Sequence, residues 1–243
     1  LIFSRKGFDS SAGGIASPIL PDGRLLPLPI PQSDGPVKFS QLRFDGQSLS
    51  SMIKQLGGKC WRERCHLDPD LDASLIERPE GWLPAFGQSG SAQRHLEQEG
   101  VGVGDLFLFF GWFRQTERVA GKLRFVPGAP DLHILHSWLQ VGEVCSADST
   151  LAQRLPGLKS HPHLNKVYPF NTLYLPSESL ELYGQSTGMA GSGMFPHWSD
   201  QRQLTWPGEL RTVWRLPECF WPEHCDPVMS YHRQLERWQR RDG

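Results

Sequence analysis

Short apolar runs broken by glycine and proline recur along the chain, and they predict strands more often than helices. The most continuous run, Leu106 to Phe110, ends at Gly111 and is too short to span a membrane. It therefore predicts a strand that is buried on both faces. Residues 1–3, 133–144 and 171–175 also have strand-like patterns, and the mixed faces of 133–144 favour a central strand next to a polar cavity.

Two short helices are predicted from their end signals. One begins after a serine and ends at Leu56, before two glycines, and the other covers residues 92–99. The Gly- and Ser-rich residues 184–193 predict a mobile loop, and the residues after 227 predict a basic terminal helix. The fold class that follows is α+β, a strand-rich mixed sheet or partly open barrel with a few short helices.

Composition limits the function classes. The 243 residues carry a formal net charge of -1, so the molecule as a whole does not attract nucleic acid electrostatically. We expect one domain over residues 1–243, or a pocket-forming half, 1–100, followed by a barrel-like half, 101–243. The five cysteines are an odd number and no secretory signal is visible, which predicts free thiols and a cytoplasmic protein.

Polar and cationic residues directly follow the first predicted strand, in a stretch with three glycines. Glycine lets backbone N–H groups approach a ligand closely, and cationic side chains pair with phosphate. We expect Ser4, Arg5, Lys6 and Ser10 to hold a phosphate or another part of a substrate. The stretch lacks the spacing of a Walker loop or a dinucleotide fingerprint, and the alternative is a solvated loop.

Three ionisable residues, His66, Asp68 and Asp70, alternate along a stretch that the proline after Asp68 keeps extended. An extended chain places alternate side chains on one side, where this set could bind a divalent metal or act as an acid–base pair. His95 and Asp9 are further catalytic candidates if the fold brings them near. The alternative is an Asp-Pro turn with local hydrogen bonds.

Amide and imidazole groups lie close to the most buried strands. Gln88 and Gln93 precede the strand that starts near residue 106, and amides of this kind can recognise a base edge. His136 and Gln140 lie in the predicted strand 133–144 and are candidates to line a pocket. The alternative for these residues is hydrogen bonding in the core.

Several stretches together resemble the third family of nucleotide modification associated domains. They are Phe3–Ser10, Cys65–Asp70, Phe86–Gln88 with Gln93–Leu96, Gly104–Gly111 and Trp138–Val144. The last two also resemble the paired strands of PUA- and EVE-type barrels. The family resemblance implies a setting in DNA-modification and phage-linked systems, with a nucleotide or nucleic acid and other proteins of such a system as partners. It further implies one site that contains Arg5, Lys6, Asp9, His66, Asp68, Asp70, Gln88, Gln93 and His95.

These features favour an enzyme that modifies a nucleotide or a nucleic-acid base by group transfer or hydrolysis, with a divalent metal as one candidate cofactor. One alternative is a non-catalytic PUA/EVE-like reader of modified bases, in which a flipped base stacks on Trp112 or Trp138. Another is an enzyme similar to ADP-ribosyltransferases, because a strand near the N-terminus carries an arginine and a serine and a glutamate come later. The last is a structural partner in a modification complex, which an exposed apolar patch would favour.

Overall fold

The computed structural model describes residues 1–224, 229–230 and 234–240. Its strands are β1 (Ile2–Arg5), β2 (Ser17–Ile19), β3 (Ile30–Pro31), β4 (Val37–Lys38), β5 (Arg43–Phe44), β6 (Gln47–Ser48), β7 (Arg64–His66), β8 (Phe86–Gln88), β9 (Leu106–Val119), β10 (Lys122–Phe125), β11 (Leu132–Ser146), β12 (Thr172–Pro176), β13 (Ser179–Leu182), β14 (Gln185–Ala190) and β15 (Ser192–Met194). The α-helices are α1 (Leu49–Gln55), α2 (Gly90–Gln98), α3 (Ser149–Arg154) and α4 (Pro162–Asn165). Short 3-10 turns lie at Pro156–Leu158, Asp200–Arg202, Glu218–Phe220 and Leu235–Arg237.

The main sheet has eight strands and is built around the two longest strands, β9 and β11. Its order is β1-β9-β11-β12-β8, and β2 and β10 also pair with β9 while β15 pairs with β11. Strands β1 and β2 run parallel to β9, and the remaining pairs are antiparallel. This mixed sheet with four short helices confirms the predicted α+β class.

The main sheet is strongly curved. Phe86 of β8 packs against Phe107 and Phe109 of β9 at ring-centroid distances of 4.9 Å and 5.0 Å, although two strands separate β8 from β9 in the sheet order. These rings are fully buried, and each contributes about 1.5–3 kcal/mol by leaving water. The edge strands β1 and β8 form no ladder with each other in the described part of the chain, so the sheet stays an open barrel.

A second hydrophobic cluster holds the segment that carries the candidate acids. It joins α1 to residues such as Phe39, and it includes Cys65 and Leu67. Because alternate residues of an extended segment point to opposite sides, burial of Cys65 and Leu67 turns His66 and Asp68 the other way. The small sheet β3-β7-β4 fixes this segment further, with His66 opposite Ile30.

Several predicted elements agree with the structure at their ends, and one does not. Ser48 caps α1, and α2 covers residues 90–98. The predicted mobile loop over residues 184–193 is wrong, because β14 and β15 lie there. All residues of β14 are exposed, so the sequence of this strand has no alternation of apolar and polar residues that would predict it.

The predicted terminal helix falls partly on residues 225–228, 231–233 and 241–243, which lie outside the described residues. The described residues near it contain the 3-10 turn Leu235–Arg237. Four cysteines are free thiols in the described part of the chain, and Cys225 lies outside it. None of the described helices has the length and apolar character needed to cross a membrane.

Candidate active site

The buried carboxylate of Asp68 lies in the gap between the two edges of the main sheet. Its side chain is 1% exposed, and its Oδ1 accepts a hydrogen bond of 2.5 Å from the backbone N–H of Gly87 in β8. Its Oδ2 lies 3.3 Å from the ammonium group of Lys6, which follows β1. Asp68 therefore links the two strands that the sheet leaves unpaired.

Charge and hydrogen bonds keep Asp68 ionised in spite of its burial. Burial alone would raise the pKa of this carboxyl. The Lys6 ammonium is the largest of the effects that outweigh burial and hold the pKa of Asp68 well below its usual range. The site is thus built around a permanent negative charge at neutral pH.

His66 has a defined ring tautomer. Its Nδ1 lies 2.6 Å from Oε1 of Gln32. The amide nitrogen of Gln32 donates to Asp34 Oδ1 at 2.8 Å and to the Tyr168 hydroxyl at 3.2 Å, so the amide oxygen must face His66. Nδ1 of His66 therefore carries a proton, and in the neutral ring this leaves the lone pair on Nε2, which lies 3.8 Å from Asp68 Oδ2.

His163 is held in the same way by a second amide. Its Nδ1 lies 2.6 Å from Oδ1 of Asn171, whose amide nitrogen donates to the backbone oxygens of Ala147 and His163 at 2.9 Å and 2.7 Å. Nδ1 of His163 is therefore the donor and Nε2 is unprotonated. Burial lowers the pKa of His163 to about 4, so the ring is neutral at physiological pH.

Gly87 provides the space that the His163 ring occupies. A Cβ at residue 87 would overlap Cδ2 and Cγ of that ring and would lie 2.7 Å from its Nε2. Gly87 of β8 thus supports two site residues. Its backbone N–H donates to Asp68, and its lack of a side chain leaves room for His163.

His161 is a further buried histidine beside Asp68. Its Nδ1 accepts a hydrogen bond of 3.3 Å from the backbone N–H of His163, which places the ring proton on Nε2. That Nε2 lies 3.5 Å from Asp68 Oδ1, a distance too long for a strong hydrogen bond, so the contact is mainly electrostatic. The His161 side chain is 1% exposed.

The site opens on the side of Lys6 and His66, whose side chains are 15% and 13% exposed. Tyr168 is half-buried beside His163, with ring centroids 5.2 Å apart, and Lys166 lies 5.6 Å from the Tyr168 ring. On the inner side, a cavity of about 40 Å³ is lined by Lys6, Asp68 and His136, among other residues.

Comparison with known proteins identifies the family. The sequence model of the family described as nucleotide modification associated domain 3 matches residues 1–243. The chain belongs to this family. A search of curated proteins and a search of solved structures gave no match. Membership in the nucleotide modification associated domain 3 family associates the chain with nucleotide modification.

Of the site residues expected for a member of this family, the structure brings Lys6, His66 and Asp68 together. His136 lines the adjoining cavity, where its Nδ1 lies 2.9 Å from Ser137 Oγ. Its Nε2 finds no hydrogen-bond partner among the described residues.

The remaining N-terminal and acidic candidates have contacts elsewhere. Arg5 lies 3.2 Å from Asp9, and Asp9 also accepts hydrogen bonds from the backbone of its own loop. Ser4 pairs with Phe109 in the sheet, and Ser10 is exposed in a turn. Asp70 forms a bidentate ion pair with Arg78 at 2.8 Å and 2.6 Å and accepts from the indole of Trp82.

The candidate amides and His95 also have structural partners. Gln93 is buried and accepts a hydrogen bond of 3.0 Å from the Tyr174 hydroxyl. Gln140 donates to the backbone oxygens of Gly104 and Glu181, and Oε1 of Gln88 accepts from the backbone N–H of its neighbour Ser89. His95 lies on α2, with Nε2 at 2.9 Å from Ser230 Oγ.

Sequence reasoning missed the residues that complete the site: Gln32, Gly87, His161, His163 and Asn171. The His-Pro-His stretch is visible in the sequence, but two histidines around a proline also fit a turn. No local pattern connects residue 66 with residue 163, because only the sheet topology brings β7, β8 and α4 to one place.

Proposed function

We propose that this chain is an enzyme that modifies a nucleotide or a nucleic-acid base by group transfer or hydrolysis, with Asp68 at the centre of its active site. The observation that carries the proposal is the convergence on Asp68 of one ammonium group and two imidazoles from separate segments. Family membership supports a nucleotide as the substrate class.

Stability alone does not account for this cluster. Removing a carboxylate from water costs several kcal/mol, and a buried ion pair is often no more stable than apolar residues of the same volume. A buried acid–imidazole–lysine cluster that opens to solvent on one side is typical of a catalytic site. The amides that orient His66 and His163 also favour a catalytic site, because each of them fixes one tautomer of its histidine ring.

The proposed roles follow from the protonation states. Nε2 of His66 is placed to activate a nucleophile, because that ring is the more exposed of the two. The Lys6 ammonium is placed to bind phosphate or to stabilise negative charge in the transition state. Tyr168 at the opening provides an aromatic face for a nucleotide.

The test combines binding with product analysis. Wild-type protein is incubated with nucleotides and with DNA, and the nucleosides are then examined by mass spectrometry for a change of mass. We expect Asp68→Asn to abolish the change and the exposed Asp200→Asn to retain it. The proposal fails if Asp68→Asn is folded and as active as wild type. It also fails if the protein alters no nucleotide or DNA and none of them raises its melting temperature.

The two tryptophans considered for a base reader are already covered. Trp138 is buried, and its ring packs on Phe195 at 4.8 Å and against Gly193. The guanidinium of Arg211 lies 4.3 Å from the ring of Trp112. These contacts favour the enzyme over a reader that stacks a flipped base on either ring.

A further inference from the structure

We infer that His66, Asp68 and His163 form a binding site for one divalent first-row transition-metal ion. The inference names a cofactor for the proposed active site and rests on that proposal for its catalytic meaning. Its structural basis is independent, because one ligand atom from each of the three residues lies within 4.8 Å of the other two. The set differs from the one expected from sequence, since His163 takes the place of Asp70.

The tautomers are those that a metal requires. A metal-bound histidine usually donates its other ring N–H to a carbonyl or carboxylate oxygen, which fixes the ring and makes the ligand nitrogen more basic. His66 and His163 both donate Nδ1–H to an amide oxygen at 2.6 Å. Each amide is held in turn by two hydrogen bonds from its own nitrogen, so neither ring can exchange its tautomer without breaking that network.

The acceptors of the site also lie where one cation would contact both of them. Nε2 of His66 and Oδ2 of Asp68 both have lone pairs and lie 3.8 Å apart, so neither satisfies the other. Lys6 is the cation nearest to that carboxylate oxygen, but its distance of 3.3 Å exceeds the 2.7–2.9 Å of a strong charge-assisted hydrogen bond. His161 is excluded as a ligand, because the backbone N–H of His163 keeps its proton on Nε2.

The spacing and chemistry of the ligands define the ion. Bonds of 2.0–2.1 Å in tetrahedral geometry bring ligand atoms to about 3.3 Å from one another. The three side chains therefore need to close by no more than about 1.5 Å from separations within 4.8 Å. Two imidazoles and one carboxylate suit zinc, iron, cobalt or manganese better than calcium or magnesium, and they leave positions open for water or substrate.

Cobalt is the probe for this site, because Co²⁺ absorbs visible light with an intensity that depends on its coordination. The chelator-treated full chain is titrated with Co²⁺ and then with Zn²⁺. We expect one equivalent of Co²⁺ to bind and Zn²⁺ to displace it. His66→Ala and His163→Gln should weaken binding at least a hundredfold, while the exposed His197→Ala should bind as wild type does. Circular dichroism checks that each variant is folded.

Two further variants separate ligands from their supports. Gln32→Leu removes the acceptor for His66 and should weaken Co²⁺ binding 10–100-fold, whereas Gln32→Glu keeps an acceptor and should recover most of the loss. Lys6→Met removes a positive charge next to Asp68 and should bind Co²⁺ at least as tightly as wild type.

The outcomes of the metal test and of the activity test are distinguishable. The metal site is overturned if wild-type protein binds no Co²⁺, or if His66→Ala and His197→Ala bind it equally. Activity that is unaffected by a chelator would reject the metal as the cofactor of this site, but it would leave the proposed function intact. Metal binding without any change to nucleotides or DNA would reject the function and keep the site.

Discussion

Gly87→Ala tests whether β8 creates the space for His163. The added Cβ would lie 2.7 Å from Nε2 of His163 and would overlap two ring carbons, so the ring must move by about 1 Å or more. The backbone conformation at residue 87 would otherwise accept alanine, because Gly87 is not among the glycines with positive φ. The damage should therefore come from the ring and not from the backbone.

The magnitude follows from two contributions. Overpacking in a well-packed interior costs about 1–3 kcal/mol. Loss of the His163–Asn171 hydrogen bond adds about 1 kcal/mol, which gives roughly 2–4 kcal/mol in total. For a chain of 243 residues, this corresponds to a fall in melting temperature of roughly 5–15 °C. Urea unfolding followed by circular dichroism measures the free energy of unfolding directly.

A double-mutant cycle decides whether the ring is the cause. In a His163→Ala background, Gly87→Ala should cost less than about 0.5 kcal/mol, because the overlapping atoms are gone. Gly102→Ala is the control, since a Cβ there meets only a backbone oxygen 4.0 Å away. If Gly87→Ala costs as much with His163 absent as with it present, the explanation is refuted.

The other predictions concern residues outside the cluster. Arg78→Met should lower the free energy of unfolding in urea by about 3 kcal/mol, because it leaves the largely buried Asp70 without its ion pair. It should not weaken Co²⁺ binding, and weakened binding would place Asp70 in the site. Burial, Arg211 and Arg5 lower the pKa of His133 to about 4, so its neutral ring stabilises the fold fully above pH 6.5 and less as pH falls towards 4. When the pH is lowered from 7.5 to 5, the free energy of unfolding should fall by about 2 kcal/mol less in His133→Gln than in wild type. An equal fall in both proteins would contradict the lowered pKa of His133.

The sequence predicts local features well where the signal is local. The serine cap of α1 and the buried strand at Leu106 follow from capping chemistry and apolar continuity. The strand continues past the predicted end at Gly111 to Val119, because Gly111 is a site of close approach within β9 and not a terminator. An added Cβ at Gly111 would lie 3.0 Å from the backbone oxygen of Lys6.

The site was predictable only in part. Lys6 is recognisable because polar groups directly follow an apolar strand, and His66 and Asp68 because they alternate along an extended stretch. Asp70 has the same alternation as His66 and Asp68 but is bound to Arg78, because the chain past Pro69 turns to pair with Ala85. The partners Gln32 and His163 lie 34 and 97 residues from His66, and periodicity carries no information at such separations.

The position of Asp68 couples ligand binding to the opening of the main sheet. One oxygen of this carboxylate accepts the amide proton of Gly87, and the other faces Lys6 and His66. A ligand that binds the second oxygen draws charge away from the first. It thereby changes the hydrogen bond to the Gly87 amide and the rate at which that amide exchanges its proton with solvent. Hydrogen exchange at β8 would then report occupancy of the site before its substrate or reaction is known.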